Sequence, residues 1–437
     1  MKATTRISAA RAFGQFRRDP LALFAQIADQ PDGVALSSVA GRRLLFITHP
    51  DHVARVLRDN HRQYSKDAPV YRAARPFLGD GLTVAAGGED WMRRRRLVQP
   101  AFHRDTLGAA AAIAVDCVGD LVTAWSEPAR RNEVVDVAPA MTDLTMRISC
   151  RHLFGMDLTS GASEVAADLR MVCDFVVGFL ARPFPPPGVP TRRNREFRAA
   201  MGRIRAFIGE LVAHPATDLV AALDAEARSG GSTPEQVGDE LLGLFFAGHE
   251  TLAHTLTWCW SLLVTHPEVA ERLHGEVTRV LSGRPASADD LPELSWTRAV
   301  VDEAMRLYPV VWIMMRRALG RDEIDGHEVR AGDLIAWSPY VGNRHPQVWR
   351  RPSEFLPERW HSAGDRGPDW ARHSVAPFGL GPRACLGSGA AVMQACLILA
   401  TLVQAYHLEP VGDGPPRPNP SLTLHAAGGF PARLRRR

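Results

Sequence analysis

The sequence "APFGLGPRACLG" at residues 376–387 surrounds a single cysteine with glycines. The chain has six cysteines, without a CxxC pair or a zinc-type spacing, so the sequence predicts neither a disulfide framework nor a structural zinc site. A lone cysteine among apolar neighbours is most often a small buried hydrophobe, but such a residue needs no glycines. Two interpretations of Cys385 follow: a core residue, or a thiolate that binds a metal.

The residues around Cys385 suit the metal-bound thiolate. Gly379, Gly381 and Gly387 would let the backbone approach something large and flat, and Arg383 supplies a cation beside the sulfur. The apolar segment "SGAAVMQACLILATLVQAY" that follows has helical spacing, and the N-terminus of a helix stabilises negative charge.

Composition limits the class of protein. The 437 residues are 46% hydrophobic and 23% charged, which is typical of a globular protein. The net charge of +4 comes with no basic domain, so the sequence argues against nucleic-acid binding. The N-terminal segment has no apolar run long enough to span a bilayer. We therefore expect a reduced, cytoplasmic protein without a membrane anchor.

The chain shows no internal repeats and no Gly/Ser linker, so we predict one domain over residues 1–437, mainly α with small β-sheets. Alternation around glycine turns predicts short strands within 34–50 and 324–340. Pro-rich stretches predict loops at 181–194 and 411–420. Most of the remaining chain is predicted to be helical.

A long central helix is predicted over about 234–265, with Thr233 as its N-cap. In its middle, "FFAGHETLA" combines the small Ala247 and Gly248 with Glu250 and Thr251 in an apolar context. Thr251 can bond back to the carbonyl of residue 247 and open the helix locally. The segment is either a tolerated kink or a groove for a small molecule, with an acid and a hydroxyl for proton delivery.

Glu303 and Arg306 in "VVDEAMRLYPVV" are three residues apart and share one helix face. Such pairs are common on solvated faces, but the neighbouring residues are apolar, which favours burial. Arg359 in "FLPERW" could complete a structural Glu–Arg–Arg network, because a buried guanidinium requires partners.

The helix "EDWMRRRRLVQPAF" places Trp91 and Arg95 on one face and spreads Arg93, Arg94 and Arg96 around it. The arginine run is either a solvated face or the source of a cation for an anionic ligand. In the second case Arg95 would turn inward with Trp91 and act together with Arg383.

Taken together, these stretches resemble the cytochrome P450 family of haem-thiolate monooxygenases over nearly the whole chain. The haem loop "FGLGPRACLG", the oxygen-activation motif "AGHET", the pair "EAMR", the segment "FLPERW" and the motif "WMRRR" occur in the order and spacing of that family. The resemblance implies a single domain with the cytochrome P450 fold. One departure is Leu252, where the family often has a second small hydroxyl residue.

The resemblance also implies a site. Cys385 would be the axial thiolate of haem b, iron protoporphyrin IX, with Thr251 and Glu250 as the catalytic residues. The residues implied to contact the haem or its propionates are Trp91, Arg95, Ala247, Gly248, Arg316, Phe378, Arg383 and Gly387. The residues expected to line the substrate pocket are Phe77, Phe175, Phe179, Leu244, Val311 and Ile313.

The implied activity is insertion of one oxygen atom from O2 into a hydrophobic small molecule, such as a terpenoid or polyketide secondary metabolite. The chain ends about 50 residues after Cys385, which leaves no room for a fused reductase, so we expect electrons to come from another protein. The resemblance to the soluble bacterial type of the family implies a ferredoxin and a ferredoxin reductase as the donors. Two alternatives stay open: a redox-neutral, peroxide-driven or oxidative-coupling haem enzyme, and a non-enzymatic haem sensor. Glu250 and Thr251 argue against the first of these.

Overall fold

A computed structural model describes residues 4–39, 41–157, 188–361, 376–412 and 414–437, and residues 165, 167, 168, 171, 172 and 175. Contacts divide the chain into two compact units. The first comprises Met1–Ala73, Val84–Gly88 and Met305–Cys385, and the second comprises Ala74–Thr83, Glu89–Ala304 and Leu386–Arg437. The single domain over 1–437 stays a prediction.

Helices account for most of the regular structure, which confirms the predicted fold class. The described α-helices are α1 (Ala9–Arg18), α2 (Pro20–Ala28), α3 (Pro50–Ala54), α4 (Pro69–Leu78), α5 (Glu89–Val98), α6 (Arg104–Arg130), α7 (Val137–Phe154), α8 (Arg192–Ala213), α9 (Asp218–Arg228), α10 (Pro234–Thr265), α11 (Pro267–Leu281), α12 (Ser295–Leu307), α13 (Pro339–Gly342) and α14 (Ser388–Ala405).

The described strands are short, and they include those predicted within 34–50 and 324–340. They are β1 (Thr5–Arg6), β2 (Val34–Val39), β3 (Arg42–Ile47), β4 (Tyr64–Ser65), β5 (Val134–Asp136), β6 (Met314–Ala318), β7 (Asp322–Ile324), β8 (His327–Val329), β9 (Leu334–Trp337), β10 (Tyr406–Pro410), β11 (Pro418–Pro420), β12 (Leu424–Ala426) and β13 (Pro431–Arg436).

The first unit is built around a six-stranded mixed sheet in the order β1-β2-β3-β9-β6-β4. β2 and β3 form an antiparallel hairpin with Val34 opposite Ile47, and β3 pairs in parallel with β9. Ile47 and Ile335 are fully buried in the apolar cluster beneath this sheet. The burial of one face fixes the register of the strands.

The second unit is mainly helical. α10 begins where the sequence predicts, because the Thr233 side chain accepts from the Gln236 amide while the Gln236 side chain accepts from the Thr233 amide. This helix packs against α7 and α14. Two small antiparallel sheets, β10-β13-β5 and β11-β12, complete the unit. The predicted bounds of the long helix are confirmed.

One predicted loop extends too far. The loop predicted over 181–194 includes Arg192, where α8 already begins. The cause is Thr191, whose side chain accepts a hydrogen bond from the Asn194 amide and caps the helix. Residues 181–187 lie outside the described part of the chain. The other Pro-rich stretch, 411–420, ends in β11, so only its first part is a loop.

Two helices are long and apolar enough to cross a membrane by length and composition. The most apolar window of α14 is 72% buried by the protein itself, and that of α6 is 28% buried. The bent pair α8 and α9 passes the same test only when its two helices are counted as one span. The absence of a membrane anchor stays a prediction.

Candidate active site

The loop that carries Cys385 lies in the first unit and is closed by its own backbone. The Cys385 amide donates to the Phe378 carbonyl at 2.9 Å, and the Ala384 amide donates to the Gly381 carbonyl at 3.0 Å. Both bonds turn the chain back on itself between 378 and 385. Phe378 is partly buried at the start of this loop, and Cys385 is exposed at its end.

The loop requires a glycine at position 381. The φ of Gly381 is +69°, in the left-handed region that L side chains rarely adopt. A side-chain carbon at this position would also overlap the carbonyl oxygen of Leu57. The glycine therefore lets the loop lie directly on the backbone of the segment that follows α3.

Cys385 differs from the other described cysteines. Cys117, Cys150, Cys259 and Cys396 are buried, and burial raises the pKa of each of these thiols. Cys385 is the exposed one among the cysteines that the structure describes. The interpretation of Cys385 as a buried core residue is therefore wrong.

Two arginines of the first unit belong to the predicted site. A side-chain carbon at Gly87 would stand 2.8 Å from Arg383 Nη2, so Gly87 leaves space for this guanidinium. Arg316 is buried on β6, where its Nη1 donates to the Tyr71 hydroxyl at 3.2 Å and its guanidinium lies over the Trp337 ring. Contacts within its own unit therefore fix the position of the Arg316 side chain.

In the second unit, one face of α10 is accessible. Ala247 and Gly248 are exposed and Leu244 and Thr251 are partly buried, although most of the helix around them is buried. These four positions follow the spacing of one helix face. Thr251 Oγ1 donates to the Ala247 carbonyl at 2.7 Å, which confirms the predicted bond back to residue 247. A hydroxyl therefore lies on an accessible apolar stripe.

Glu250 has different surroundings from Thr251, because consecutive helix residues diverge by about 100°. Its Oε1 accepts from the Thr423 hydroxyl at 2.9 Å and lies 3.6 Å from His254 Nε2. Its Oε2 is buried and has no hydrogen-bond partner among the described residues. Burial raises the pKa of Glu250, but the bonds and charge of His254, helped by His249 and Thr423, outweigh it and lower that pKa.

Trp91 and Arg95 share a face of α5, as predicted, with the Arg95 guanidinium 5.5 Å from the Trp91 ring centroid. The Trp91 indole N–H donates to the Leu82 carbonyl at 3.2 Å. The arginine of the run that turns inward most is Arg94, which is only 2% exposed. The contact of Trp91 and Arg95 with a propionate stays a prediction.

The residues of the predicted structural network are buried. Glu303, Arg306 and Arg359 are at most 1% exposed, so the alternative of a solvated pair is wrong. Both guanidinium groups lie over the ring of Trp349. The mutual contacts of the three residues stay a prediction. The carbonyls that accept from Arg306 are those of Asn343, Pro352 and Glu354, and those that accept from Arg359 belong to Arg350 and Arg351.

The expected pocket residues fall into two groups. Phe77 is buried and contacts the Phe246 ring, and Phe175 is buried and stacks on Phe197 with ring centroids 4.0 Å apart. Phe179 lies outside the described residues. The second group is accessible and entirely apolar: Val311 is 40% exposed, and Leu244 and Ile313 are partly buried.

Four residues with buried or charged contacts near the predicted residues were not predicted from the sequence as site residues: Arg94, Glu240, His254 and Thr423. Glu240 could have been found, because it stands in an apolar stretch of α10 just as Glu250 does. Thr423 could not, since it is distant in sequence from α10 and reaches Glu250 only through the fold of the β11-β12 hairpin.

The residues present fit a haem b. The exposed Cys385 thiol offers a soft anionic ligand on a short loop that glycines keep clear of side chains. Arg383 offers a cation two residues from the sulfur. On α10, the small Ala247 and Gly248 leave an accessible apolar face beside the Thr251 hydroxyl.

Comparison with known proteins gives the family relationship of this chain. The family model for cytochrome P450 matches residues 7–430. The cyclooctat-9-en-7-ol 5-monooxygenase of Streptomyces melanosporofaciens is 34% identical over 90% of this chain and 86% of its own length. Cyclooctatin synthase of the same organism is 34% identical over 94% of this chain and 90% of its own length. Pentalenene oxygenase of Streptomyces avermitilis is 31% identical over 89% of this chain and 86% of its own length.

Solved structures show the same relationship. The crystal structure of CYP175A1 from Thermus thermophillus matches with a TM-score of 0.80 at 25% identity, over 99% of this chain and 100% of that chain. The haem domain of a cytochrome P450DA mutant matches with a TM-score of 0.82 at 26% identity, over 96% of this chain and 93% of that chain. The predicted fold is confirmed, and this chain belongs to the cytochrome P450 family of monooxygenases.

Proposed function

We propose that this monooxygenase oxidises a terpenoid, inserting one oxygen atom from O2, with electrons from a separate ferredoxin and ferredoxin reductase. The observation that carries the substrate class is the similarity, at 31–34% identity, to three Streptomyces enzymes named for cyclooctatin and pentalenene chemistry. The apolar character of the accessible residues Leu244, Val311 and Ile313 supports a hydrophobic substrate.

Cys385 would hold the haem iron through its thiolate, and Arg383 would face a propionate. Haem with a thiolate ligand supplies the oxidising chemistry, because the thiolate pushes electron density onto iron and favours cleavage of the O–O bond. Arg316, Trp91 and Arg95 are proposed as further propionate partners. The first two already have protein partners, the hydroxyl of residue 71 and the carbonyl of residue 82, which would orient them.

Thr251 and Glu250 would control protons. The Thr251 hydroxyl lies on the accessible face of α10 and, anchored to the Ala247 carbonyl, can accept a hydrogen bond from a water molecule. A haem and an apolar substrate bound over this face would exclude bulk water, so a fixed hydroxyl would be needed to order that molecule. Glu250, held by Thr423 and close to His254, would relay protons on its own side of the helix, because its carboxylate can take up a proton and release it again.

The proposal is tested by reconstitution with a ferredoxin, its reductase, NADH and isotopically labelled O2. The candidate substrates are cyclic terpene hydrocarbons and alcohols, with pentalenene among them, and a macrolide polyketide serves as comparison. We expect one labelled oxygen atom per product molecule and NADH consumption coupled to product. Conversion driven by peroxide, or conversion without labelled oxygen, would instead support a peroxide-driven or redox-neutral enzyme. Haem binding without turnover of any candidate would support a sensor.

Thr251→Ala is expected to uncouple the enzyme. General acid–base groups contribute about 10²–10⁴-fold, so the product formed per NADH should fall by at least about tenfold while hydrogen peroxide accumulates. Haem content and substrate binding should stay near wild type, because the bond that the hydroxyl makes among the described residues lies within its own helix. The measurement is the ratio of product, peroxide and NADH consumed.

Thr257→Ala is the matched control for this prediction. Thr257 lies on the same helix and makes the same kind of bond, to the Ala253 carbonyl at 2.8 Å, but is buried. It should remain coupled. If Thr251→Ala is as well coupled as Thr257→Ala, then Thr251 only shapes the helix and does not handle protons.

A further inference from the structure

The turn Gly79–Leu82, which follows α4, is fastened to the start of α10 by carboxylates. Asp239 Oδ2 accepts from the Asp80 amide at 3.0 Å, and Glu240 Oε2 accepts from the Leu82 amide at 2.9 Å. Two consecutive carboxylates of α10 therefore accept hydrogen bonds from two backbone amides of the turn, those of residues 80 and 82. Hydrogen bonds from amides to charged carboxylates are among the stronger ones in proteins.

An arginine of α5 completes the attachment. Arg94 Nη1 donates to Glu240 Oε1 at 2.5 Å and to the Asp80 carbonyl at 2.9 Å. The remaining Leu82 carbonyl accepts from the Trp91 indole N–H at 3.2 Å. Side chains of α5 and α10 thus occupy both polar backbone groups of Asp80 and of Leu82. We call Arg94, Asp239 and Glu240 the clamp.

The clamp is shielded from water at its centre. Arg94 and Glu240 are each 2% exposed. Burial raises the pKa of Glu240, and the bonds from the Leu82 amide and the Arg94 guanidinium offset that rise only in part. Removing Arg94 takes away the cation that contacts the buried Glu240 carboxylate, which is costly for a buried charge, whereas Arg94 itself also donates to Asp90 Oδ2 at 2.9 Å.

The turn has no room for a side chain at its first position. Gly79 has a φ of +59°, and a side-chain carbon on it would overlap the Asp239 carboxylate. On the other side, a side-chain carbon at Gly243 would stand 3.3 Å from Thr83 Oγ1. Close packing on both flanks therefore fixes the register of the turn along α10.

The clamp lies on the part of α10 that leads to the accessible face. Glu240 precedes Ala247 by two turns, about 10 Å at 1.5 Å per residue. Between them, Phe246 contacts Phe77, which stands two residues before the turn. The clamp therefore holds the segment from 77 to 83 against the helix that carries Thr251.

We propose that Arg94 and Glu240 are positioning residues that fix this segment as a wall of the substrate pocket and so limit the size of molecule admitted. The proposal rests on the proposed function, because it assumes that the accessible face of α10 borders the haem. When the clamp opens, the segment moves away from α10, and larger ligands enter more readily. The catalytic residues themselves are untouched.

The first test measures hydrogen exchange at the amides of Asp80 and Leu82 in the holoenzyme. In Arg94→Gln and Glu240→Ala, these amides should exchange at least about tenfold faster, the factor that corresponds to about 1.4 kcal/mol. Arg96→Gln and Glu235→Ala are the matched controls, because both residues are exposed neighbours on the same two helices. Unchanged exchange relative to these controls would overturn the proposal.

The second test compares the binding of imidazole and of the bulkier 4-phenylimidazole to the ferric holoenzyme. The clamp variants should raise the association rate of 4-phenylimidazole relative to imidazole by about tenfold, because the rate scales with the open fraction. A purely structural role would lower stability but leave this ratio unchanged, and would refute the proposal. Arg94→Lys, which keeps the cation, should restore part of the wild-type ratio.

The two tests separate the clamp from the proposed function. Failure of wild-type protein to bind either azole refutes the haem site, while the exchange of Asp80 and Leu82 still decides whether the turn is fastened. If Arg94→Gln does not fold, Asp239→Ala removes the bond to the Asp80 amide and a contact with Arg205 at 3.5 Å, and it leaves Arg94 and Glu240 in place. Its exchange at Asp80 should still rise, and an unchanged rate there would contradict the clamp.

Discussion

Arg306→Met is expected to lower the free energy of unfolding by at least about 3 kcal/mol, as loss of a partner in a buried polar network does. Arg306 is 1% exposed and donates to the carbonyls of Asn343, Pro352 and Glu354 at 2.7–2.9 Å. Methionine keeps much of the volume but donates nothing. Three carbonyls therefore lose a charged donor: the bond to Asn343 is buried, and those to Pro352 and Glu354 are partly buried. An unsatisfied buried group costs about 1–3 kcal/mol.

The measurement is urea denaturation of the holoprotein, followed by circular dichroism. Arg350→Met is the control, because Arg350 is an exposed arginine of the same unit. Exposed substitutions usually change stability by less than about 0.5 kcal/mol. If Arg306→Met and Arg350→Met unfold at the same urea concentration, the carbonyl bonds of Arg306 do not stabilise the fold. Loss of soluble Arg306→Met protein, with normal yield of the control, would agree with the prediction.

The fold was largely predictable because local signals agree with it. The capping box at Thr233 and Gln236 fixes where α10 begins, and the apolar pattern continues to its observed end. The strands within 34–50 and 324–340 were visible as alternation around turns. Family motifs then indicated the topology, which composition and periodicity alone do not contain.

The candidate site was predictable only in part. Motif residues such as Cys385 and Thr251 could be named, because their types and spacing are unusual for a core. The arginine run was ambiguous: four consecutive arginines spread around a helix, and spacing alone could not single out Arg94 as the buried one. Its buried partner is Glu240, 146 residues further along the chain, and long-range charge pairs leave no periodic signal.

Glu250 illustrates a further limit. The sequence places it beside Thr251, and adjacency suggests one shared group of side chains. In the structure its carboxylate is held by Thr423 and lies near His254, away from the bond between Thr251 and Ala247. A helix separates neighbours in sequence by its rotation per residue, so the two groups can only act through an intervening molecule.

Cys385→Ser is expected to abolish thiolate ligation and reduce product formation to background. Serine keeps the backbone amide that donates to the Phe378 carbonyl at 2.9 Å, so the loop should retain its shape. A hydroxyl is a much weaker acid than a thiol and does not provide an anionic sulfur ligand. The reduced protein with CO should therefore lose the long-wavelength absorption band that marks thiolate ligation.

The other described cysteines could not replace Cys385, because they are buried and burial raises the pKa of their thiols. Cys117→Ser is the control, since Cys117 is 1% exposed and lies on α6 in the second unit, whereas Cys385 lies in the loop of the first. This variant should keep the band and the activity. If Cys385→Ser retains the band while folding normally, the iron ligand lies elsewhere in the chain. If Cys385→Ser loses the band with haem still bound, and Cys117→Ser keeps it, the thiolate ligand is Cys385. The comparison is direct, because each variant removes one cysteine sulfur.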